Sequence, residues 1–404
     1  MGKSEKNDNR INLFSYPMFW CFFGLCFAVF FAYLIKEDTE FSELENRYLT
    51  GRPSISFESI ADGTFMDNFE TYCNEQIPLR SVLVRGKAAL EQLTLKCEND
   101  GMSLGNDGFL FEKTLRESSQ LSKNISAISN FTKKVSEKER NVYVAIAPTS
   151  VYVNEDKLPA GMPHLDEEAF EARLAEAVTE DEYVHIIDLY DALKNHGDEE
   201  LFYRTDHHWT TLGAGYAYEK IINEMGFDAG DITKYERHDR SDFYGTSFAK
   251  FKGFGLRPDT ITYYDVPIKE IRLEKSTADS LYDLSKLDTY DKYGMFMHGN
   301  DPKIEVISDN SQSKTEGEKS ISSGSKAEAK GDENGADMVI FKDSYANCLI
   351  PYLVMNFDDI IVVDLRYYGG SVEEILDENK DAKVLLLYNW SFVNEDNHFY
   401  KLVK

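Results

Sequence analysis

The sequence is poor in cysteine and in positive charge, and each shortage excludes a class of protein. Five cysteines in 404 residues are too few for a disulfide-built fold, which concentrates cysteines in a short secreted chain. Lysine and arginine total 44 against 71 aspartates and glutamates, which gives a net charge of −27. A surface of this charge repels phosphate backbones, so we expect no nucleic-acid partner. The length suffices for one large domain or two ordinary ones.

The chain also lacks the spacings that mark metal and nucleotide sites. No set of cysteines and histidines has zinc-site spacing, and no glycine-rich loop has the pattern that holds phosphate. We therefore predict no bound metal and no cofactor. Cys73 and Cys97 could pair only if their Cα atoms lie close together, which the sequence leaves open. Cys348 is interpreted as a small packing residue rather than a catalytic thiol.

One long apolar run is present, and it lies near the N-terminus. Ile11 to Ile35 carries no charge, and about 20 apolar residues span a bilayer as a helix. A cleavable signal has a shorter apolar core and a small-residue cleavage site, which this run lacks. Basic residues precede it and acidic residues follow it, so the positive-inside bias predicts an uncleaved single-pass anchor. We assign a cytoplasmic tail to 1–10 and the span to 11–36, with a cleaved signal and a buried core helix as alternatives.

The pattern changes twice after the anchor. Apolar residues recur at three- and four-residue spacing up to about residue 100, which predicts a helical stem over 37–100. Over 101–404, short apolar runs alternate with helical stretches, as in a mostly parallel central sheet covered by helices. We predict one extracytoplasmic α/β domain there, a three-layer sandwich. Its predicted strands are Val142–Ala147, Val184–Ile187, Met338–Phe341, Ile360–Val363 and Val384–Leu387.

A polar segment interrupts this alternation at 308–337. Serine, glycine, lysine, glutamate and alanine make up most of it. Such a composition cannot bury enough apolar surface to offset the entropy lost on ordering. The sequence predicts a flexible insertion that carries no chemistry.

Two short motifs carry the residue types of acyl-transfer chemistry. Asp206, His207, His208 and Trp209 precede a predicted helix, and Ser344 follows a predicted strand. A serine hydroxyl is a weak nucleophile and needs an adjacent base, which a third group must orient. In an extended segment, residues two apart point to the same side, so Asp206 and His208 would share a side that His207 and Trp209 do not. Asp206 could then hold Nδ1 of His208 and leave Nε2 toward the serine.

Each motif also has a purely structural interpretation. An Asp-x-His pair can be a capped helix start with a buried hydrogen bond and a packed tryptophan. Asp343 and Ser344 can be an ordinary helix N-cap, for which both residue types are favoured. We interpret Asp343 as a turn residue rather than the triad acid, and Trp209 as packing.

The chain resembles the DHHW family, named for the DHHW segment, Asp206–Trp209. It is similar, more distantly, to the alginate O-acetyltransferases of bacterial envelopes (AlgX and AlgJ), which carry an SGNH-hydrolase-like domain. The resemblance implies an SGNH-hydrolase-like sandwich with Ser344 as nucleophile, His208 as base and Asp206 as the orienting acid. Lys342 stands where the SGNH pattern has a glycine. The matching blocks are Leu44–Arg47, Gly108–Phe111, Arg204–Thr210 and Lys342–Asn347.

The resemblance further implies an activity and its partners. The expected activity is O-acetylation of a cell-surface or exported polysaccharide by an envelope protein anchored in the cell membrane. A membrane-bound O-acyltransferase would supply the acetyl groups. The net charge favours a neutral or cationic glycan. A carbohydrate esterase with the same triad, and a non-catalytic component of a polysaccharide-modification assembly, are the alternatives.

Four residues are candidates for substrate contacts. His207 could shape the site or satisfy a backbone carbonyl. Asn300 lies in a Gly-Asn-Asp run that is similar to the asparagine block of SGNH hydrolases, although a surface turn is the alternative. Arg366 and Tyr367 follow a predicted strand and could hold an acyl oxygen and a sugar ring, or Arg366 could form a structural ion pair.

Overall fold

The computed structural model describes residues 16–42, 44–45, 47–179, 181–308 and 337–404. The chain divides into one compact unit that ends at Leu90 and a second that extends from Glu91 to Lys404. The insertion predicted at 308–337 lies outside the described residues except at its two ends.

Helices occur in both units, and several begin with a polar cap. Asp166, Asp188, Thr210 and Ser371 each accept a hydrogen bond from a backbone N–H of the following turn, which satisfies groups that a helix start leaves open. In chain order the helices are α1 (Pro17–Ile35), α2 (Phe57–Ala61), α3 (Thr64–Glu75), α4 (Arg80–Leu93), α5 (Leu121–Ser136), α6 (Ser150–Val153), α7 (Glu167–Ala177), α8 (Leu189–Lys194), α9 (Thr211–Glu224), α10 (Thr246–Phe251), α11 (Ile350–Leu353), α12 (Val372–Glu378) and α13 (Trp390–Glu395).

The strands are short outside the central sheet. They are β1 (Phe41–Ser42), β2 (Arg47–Tyr48), β3 (Glu98–Asn99), β4 (Met102–Leu104), β5 (Leu110–Glu112), β6 (Val142–Ala147), β7 (Val184–Ile187), β8 (Arg237–Phe243), β9 (Asp259–Tyr264), β10 (Ile268–Arg272), β11 (Thr277–Ala278), β12 (Lys303–Ser308), β13 (Met338–Lys342), β14 (Asp359–Val363) and β15 (Lys383–Asn389). All five strands predicted from apolar runs are present, with bounds that shift by no more than two residues.

The first unit contains the apolar helix α1. It has 19 residues, a mean hydropathy of 2.3 and no buried residue, and within the described chain it is the one helix long and apolar enough to cross a membrane. Helices α2, α3 and α4 follow it, in agreement with the helical spacing of the sequence. Cys73 and Cys97 are both free thiols.

The second unit is built on a mixed sheet. Among the described residues this sheet has eight strands in the order β11-β10-β12-β14-β13-β15-β6-β7. Neighbours from β14 to β7 are parallel, whereas β11, β10, β12 and β14 pair antiparallel. Alternate residues of the central strands enter two separate apolar clusters, one on each face. The predicted α/β sandwich with a mostly parallel central sheet is confirmed.

The parallel strands position the candidate site. Strands β13, β14 and β15 pair side by side with Phe341 opposite both Val363 and Leu386. Their carboxyl ends therefore lie at one edge of the sheet, where ligands of α/β folds bind. Ser344, Arg366 and the start of α13 all follow these ends.

Several strands were outside the sequence prediction. The hairpin of β8 and β9 was missed because β8 is mostly charged, with Phe243 its one buried residue. In β12, by contrast, Ile304 and Val306 alternate with polar residues and are buried. That period of two is a strand signal and could have been recognised.

Candidate active site

The DHHW segment forms a tight loop rather than the extended segment that was predicted. An antiparallel bridge pairs Phe202 with Trp209, and the chain between them bends. Asp206 Oδ1 accepts the backbone N–H of His208 at 3.0 Å, a turn contact typical of aspartate. The expectation that His207 faces away from His208 is wrong, because side chains in a turn do not alternate as in a strand. The two imidazole centroids lie 3.9 Å apart.

Three side chains form a hydrogen-bonded row at the centre of the site. His208 Nδ1 donates to Asp206 Oδ1 at 2.6 Å, and His208 Nε2 lies 2.7 Å from Ser344 Oγ, across 136 residues of chain. A neutral imidazole that donates from Nδ1 leaves Nε2 to accept the serine hydroxyl. Both distances fall within the roughly 2.6–3.2 Å that proton transfer requires. The structure thus brings together the three residues that the sequence singled out.

Asp206 is held as an ionised carboxylate. It is 2 % exposed, and its Oδ2 accepts the N–H and the hydroxyl of Thr246 at 2.8 and 2.9 Å. Burial alone would raise the pKa of Asp206. The imidazoles of His208 and His207 and the hydrogen bonds outweigh burial and hold that pKa well below its usual range. Gly245 makes this packing possible, since a Cβ there would lie 2.3 Å from Asp206.

His208 is held as a neutral base. Its ring stacks on Tyr293 with centroids 3.8 Å apart and planes at 10°. Burial lowers the pKa of His208 below its ordinary value, and repulsion from His207 lowers it further, against the attraction of Asp206. The imidazole is therefore free to take a proton at neutral pH.

Ser344 lies at a sharp turn after β13. The chain forms a 3-10 turn over Ser344–Cys348, and α11 follows it. Asp343 caps this turn, because its Oδ1 accepts from the N–H of Tyr345 at 2.8 Å and its Oδ2 from the N–H of Asn389 at 2.7 Å. Asp343 is thus a turn residue, as expected. Burial raises the pKa of the Cys348 thiol to about 12, in keeping with a packing role.

Side-chain donors tie the DHHW segment to the serine turn. Trp209 Nε1 donates to the carbonyl of Tyr345 at 2.8 Å, and the Tyr345 hydroxyl donates to the carbonyl of His207. The Tyr293 hydroxyl donates to the carbonyl of Ser344 at 3.1 Å. Trp209 is fully buried, which confirms its packing role. Its hydrogen bond to Tyr345 is a second role, because it holds the DHHW segment against the serine turn.

Lys342, which replaces the glycine of the SGNH pattern, lies beneath the serine turn. It is 0 % exposed, and its Nζ donates to the Oδ1 atoms of Asn300 and Asn347, both at 2.8 Å. The same nitrogen lies 3.5 Å from Asp364 Oδ2. Burial lowers the pKa of Lys342 to about 8, against the attraction of Asp364. The long side chain therefore enters a buried polar network and leaves the turn undisturbed.

The candidate substrate contacts divide between this network and the surface. Asn300 is half-buried and engages Lys342 through its Oδ1. Arg366 forms a two-point ion pair with Asp364, with distances of 2.9 Å from Nε and 2.6 Å from Nη2. Tyr367 is 54 % exposed, and the Arg366 guanidinium lies 5.3 Å from its ring centroid. Arg366 therefore forms the structural ion pair that the sequence left open as the alternative to holding an acyl oxygen.

Donor atoms near the triad could also hold a cation. Ligand atoms of Asp206, His207 and His208 lie within 4.8 Å of one another. The Nδ1 atoms of both histidines already have hydrogen-bond partners, Asp206 for His208 and the Thr246 hydroxyl for His207 at 2.7 Å. This bonding favours the hydrogen-bonded row over a metal centre.

Comparison with known proteins identifies the family. The family model described as DHHW protein matches residues 101–363, which include the DHHW segment and Ser344. The chain belongs to the DHHW family. No curated protein matches it significantly.

Solved structures extend this result to the fold. A DHHW family protein from Eubacterium siraeum is 22 % identical with a TM-score of 0.59, and the match covers 76 % of this chain and 96 % of that one. Bacillus cereus PatB1, solved with a sulfonyl adduct, is 19 % identical with a TM-score of 0.58, covering 74 % and 97 %. The O-acetyltransferase domain of Pseudomonas putida AlgJ is 15 % identical with a TM-score of 0.41, covering 74 % and 93 %. The first two likenesses show that the DHHW-family chain shares the fold of these two proteins.

Two residues of the DHHW-family site were missed from sequence. Thr246 orients Asp206 from 40 positions away, and Tyr293 stacks on His208 from a 3-10 turn. Neither lies in a motif with recognisable spacing. A single sequence offers no signal for either residue, since each acts only through its place in the fold.

Proposed function

We propose that this protein is an extracytoplasmic O-acetyltransferase that acts on a cell-surface or exported polysaccharide. The observation that carries the proposal is the row from Asp206 through His208 to Ser344, at 2.6 and 2.7 Å. A carboxylate, a neutral imidazole and a serine hydroxyl in this order are the parts of acyl transfer through a covalent intermediate. The sulfonyl adduct of PatB1 supports the proposal, because sulfonyl reagents react with activated nucleophiles.

The first half-reaction moves the acetyl group to the enzyme. Ser344 Oγ attacks the carbonyl carbon of the acetyl donor while His208 Nε2 takes the hydroxyl proton. The tetrahedral intermediate then collapses, the bond to the donor breaks, and the leaving group departs with the proton from His208. Asp206 stays ionised throughout and stabilises the imidazolium.

The second half-reaction moves the acetyl group to the sugar. A sugar hydroxyl gives its proton to His208 and attacks the carbonyl carbon of the acyl-serine. The bond to Ser344 Oγ breaks, and that oxygen recovers the proton as the acetylated sugar leaves. Water in place of the sugar would give acetate, which is the esterase reaction on the same atoms.

The anchor suggests where this chemistry occurs. The apolar helix α1 and the charge bias of its flanks support a single span over 11–36, with 1–10 in the cytoplasm. The stem over 37–100 and the catalytic domain over 101–404 would then lie outside the membrane. A membrane-bound O-acyltransferase is the partner that would carry acetyl groups across the bilayer.

Ester hydrolysis and sugar acetylation by the purified full chain in detergent test the proposal. The wild type should release nitrophenol from nitrophenyl acetate, and oligosaccharides should divert acetyl from water to sugar, seen as the mass of one added acetyl group. Ser344→Ala and His208→Ala should each lose activity by roughly 10⁶-fold, because residues that act as a unit are not additive. Asp206→Asn should lose about 10⁴-fold, since it changes the histidine tautomer.

A matched serine variant separates chemistry from folding. Ser285→Ala removes an exposed hydroxyl that bonds only its own turn, at Asp283, and should keep wild-type activity. Rapid hydrolysis without any sugar product would favour the esterase. A Ser344→Ala protein that still supports polysaccharide acetylation in cells would favour the assembly component and refute catalysis by Ser344.

A further inference from the structure

A cleft lies beside the triad and is not used by the chemistry described above. It is a narrow cleft that is partly open to solvent and lies between β5, the segment that precedes α7 and the start of α13. His207 and Tyr345 line one side of it. These residues are the chain neighbours of His208 and Ser344, and Asn389 at the end of β15 also lines the cleft, so the cleft opens at the same edge of the sheet as the triad.

His207 presents a hydrogen-bond acceptor that the fold does not use. The ionised Asp206 can only accept, so the single hydroxyl proton of Thr246 goes to its Oδ2 at 2.9 Å. The Thr246 oxygen then accepts from His207 Nδ1–H at 2.7 Å. In the neutral imidazole this leaves His207 Nε2 as an acceptor, and Nε2 has no hydrogen-bond partner among the described residues. The side chain is 42 % exposed.

The opposite side of the cleft has an aromatic floor. Phe111 and Trp390 line it, and both are almost fully buried, so they contribute apolar edges rather than open ring faces. Trp390 is 2 % exposed, and its Nε1 is buried without a hydrogen-bond partner among the described residues. Most buried polar groups have partners, so this donor points to a ligand oxygen or an ordered water.

The charges that line the cleft exclude acidic sugars. Glu112 and Glu167 contribute carboxylates, and the described lining contains no lysine or arginine. Glu167 accepts the N–H of Thr149 at 2.9 Å as well as its hydroxyl, and burial raises the pKa of Glu167 to about 7. Protonation of this one group would remove a negative charge without adding a positive one. Lys250 lies outside the lining and is already paired with Glu112 at 2.6 Å, so a uronate would meet no free counter-charge in the cleft.

We infer that this cleft is the acceptor subsite for an uncharged sugar residue, and that His207 Nε2 accepts a hydrogen bond from one of its hydroxyls. The inference rests on the proposed function and names its substrate class. The sugar is held by the fixed imidazole of His207 and lies over the buried aromatic floor of the cleft. Its hydroxyl group then reaches the acyl carbon while His208 takes the proton.

The decisive measurement is the partition of acetyl between sugar and water. Full-length protein in detergent is given nitrophenyl acetate with chitotetraose, mannotetraose or tetra-mannuronate, and the acetylated sugar and acetate are quantified. The neutral sugars should be acetylated at least tenfold better than the uronate. His207→Ala should lower the sugar-to-acetate ratio about tenfold, by more than it lowers nitrophenol release. His207→Gln should restore part of the ratio, because its amide oxygen can accept.

A matched histidine variant and a binding experiment complete the test. His238→Gln changes a histidine paired with Asp265 outside the cleft and should leave the ratio unchanged. An unchanged ratio in His207→Ala, or equal use of the uronate, would overturn the inference. Saturation-transfer NMR on the Ser344→Ala protein tests the acceptor subsite separately from the proposed function. If this protein does not bind the neutral sugars, the subsite is overturned. Intact binding that His207→Ala weakens, with no acetyl transfer in the wild type, supports the subsite and overturns only the proposed function.

Discussion

Lys342→Met should destabilise the protein although the two side chains have similar length and shape. The ammonium group of Lys342 is fully buried and donates to Asn300 and Asn347, with Asp364 at 3.5 Å. Methionine fills the space but donates no hydrogen bond. Asp364 keeps its ion pair with Arg366, so the loss falls mainly on the two asparagine oxygens.

The size of the effect can be worked out from these contacts. A buried acceptor left without a partner costs roughly 1–3 kcal/mol. The upper part of that range, about 2–3 kcal/mol, applies to Asn347, which is 1 % exposed. Asn300 Oδ1 keeps a second donor, the side-chain amide of Asn347 at 3.0 Å, so it loses one hydrogen bond only, which costs about 1 kcal/mol. We expect a total decrease of about 3–4 kcal/mol in the free energy of unfolding.

Urea unfolding followed by near-ultraviolet circular dichroism measures this decrease. The matched control is Lys383→Met at the start of β15, where the Nζ atom lies 5.4 Å from the Phe227 ring centroid and has no carboxylate partner in the described part of the chain. That substitution should change the free energy of unfolding by no more than about 1 kcal/mol. Equal midpoints for Lys342→Met and the wild type would refute the account of the buried network.

Three further outcomes are expected. Because the lowered pKa keeps His208 neutral at lower pH, the acidic limb of kcat/KM for nitrophenyl acetate should lie below pH 6.5, the ordinary value for an imidazole. A limb above that value would contradict the burial argument. Thr246→Val should lower kcat/KM about tenfold and stability by about 1 kcal/mol, since it removes one hydroxyl bond to the triad carboxylate. Thr246→Ser should recover most of both quantities. A reporter that is active only outside the cytoplasm should work when fused after Asp100, whereas activity of a cytoplasm-specific reporter there would refute the proposed topology.

The central sheet could be predicted because its strands are buried on both faces. Val142–Ala147 is apolar at all six positions, so the sequence shows the strand without any knowledge of its partners. The charged strand β8 has no such pattern and is defined by its pairing with β9. Local sequence therefore predicted the parallel core and missed most of the antiparallel additions, whose stability depends on partners far away in the chain.

The triad could be predicted because acyl-transfer chemistry restricts its residue types. Asp206 and His208 lie two apart, and Ser344 follows a clear strand, so few alternatives existed. The orientation of His207 was predicted wrongly, because Asp206 and His208 form a turn rather than part of an extended strand. Thr246 and Tyr293 were out of reach, because threonine and tyrosine are common and only the fold places them against the triad.

The bonds that join the DHHW segment and Tyr293 to the serine turn have an evolutionary consequence. Each donor is a side chain, on Trp209, Tyr345 or Tyr293, and each acceptor is a main-chain carbonyl. An exchange of side chain at an accepting position leaves its carbonyl in place, so selection for architecture acts on the three donors. Position 207 accepts only through its backbone in this set. Its side chain makes none of these bonds and instead reaches the Thr246 hydroxyl, so a substitution there would alter the surroundings of the triad carboxylate without loss of the loop that aligns the catalytic row.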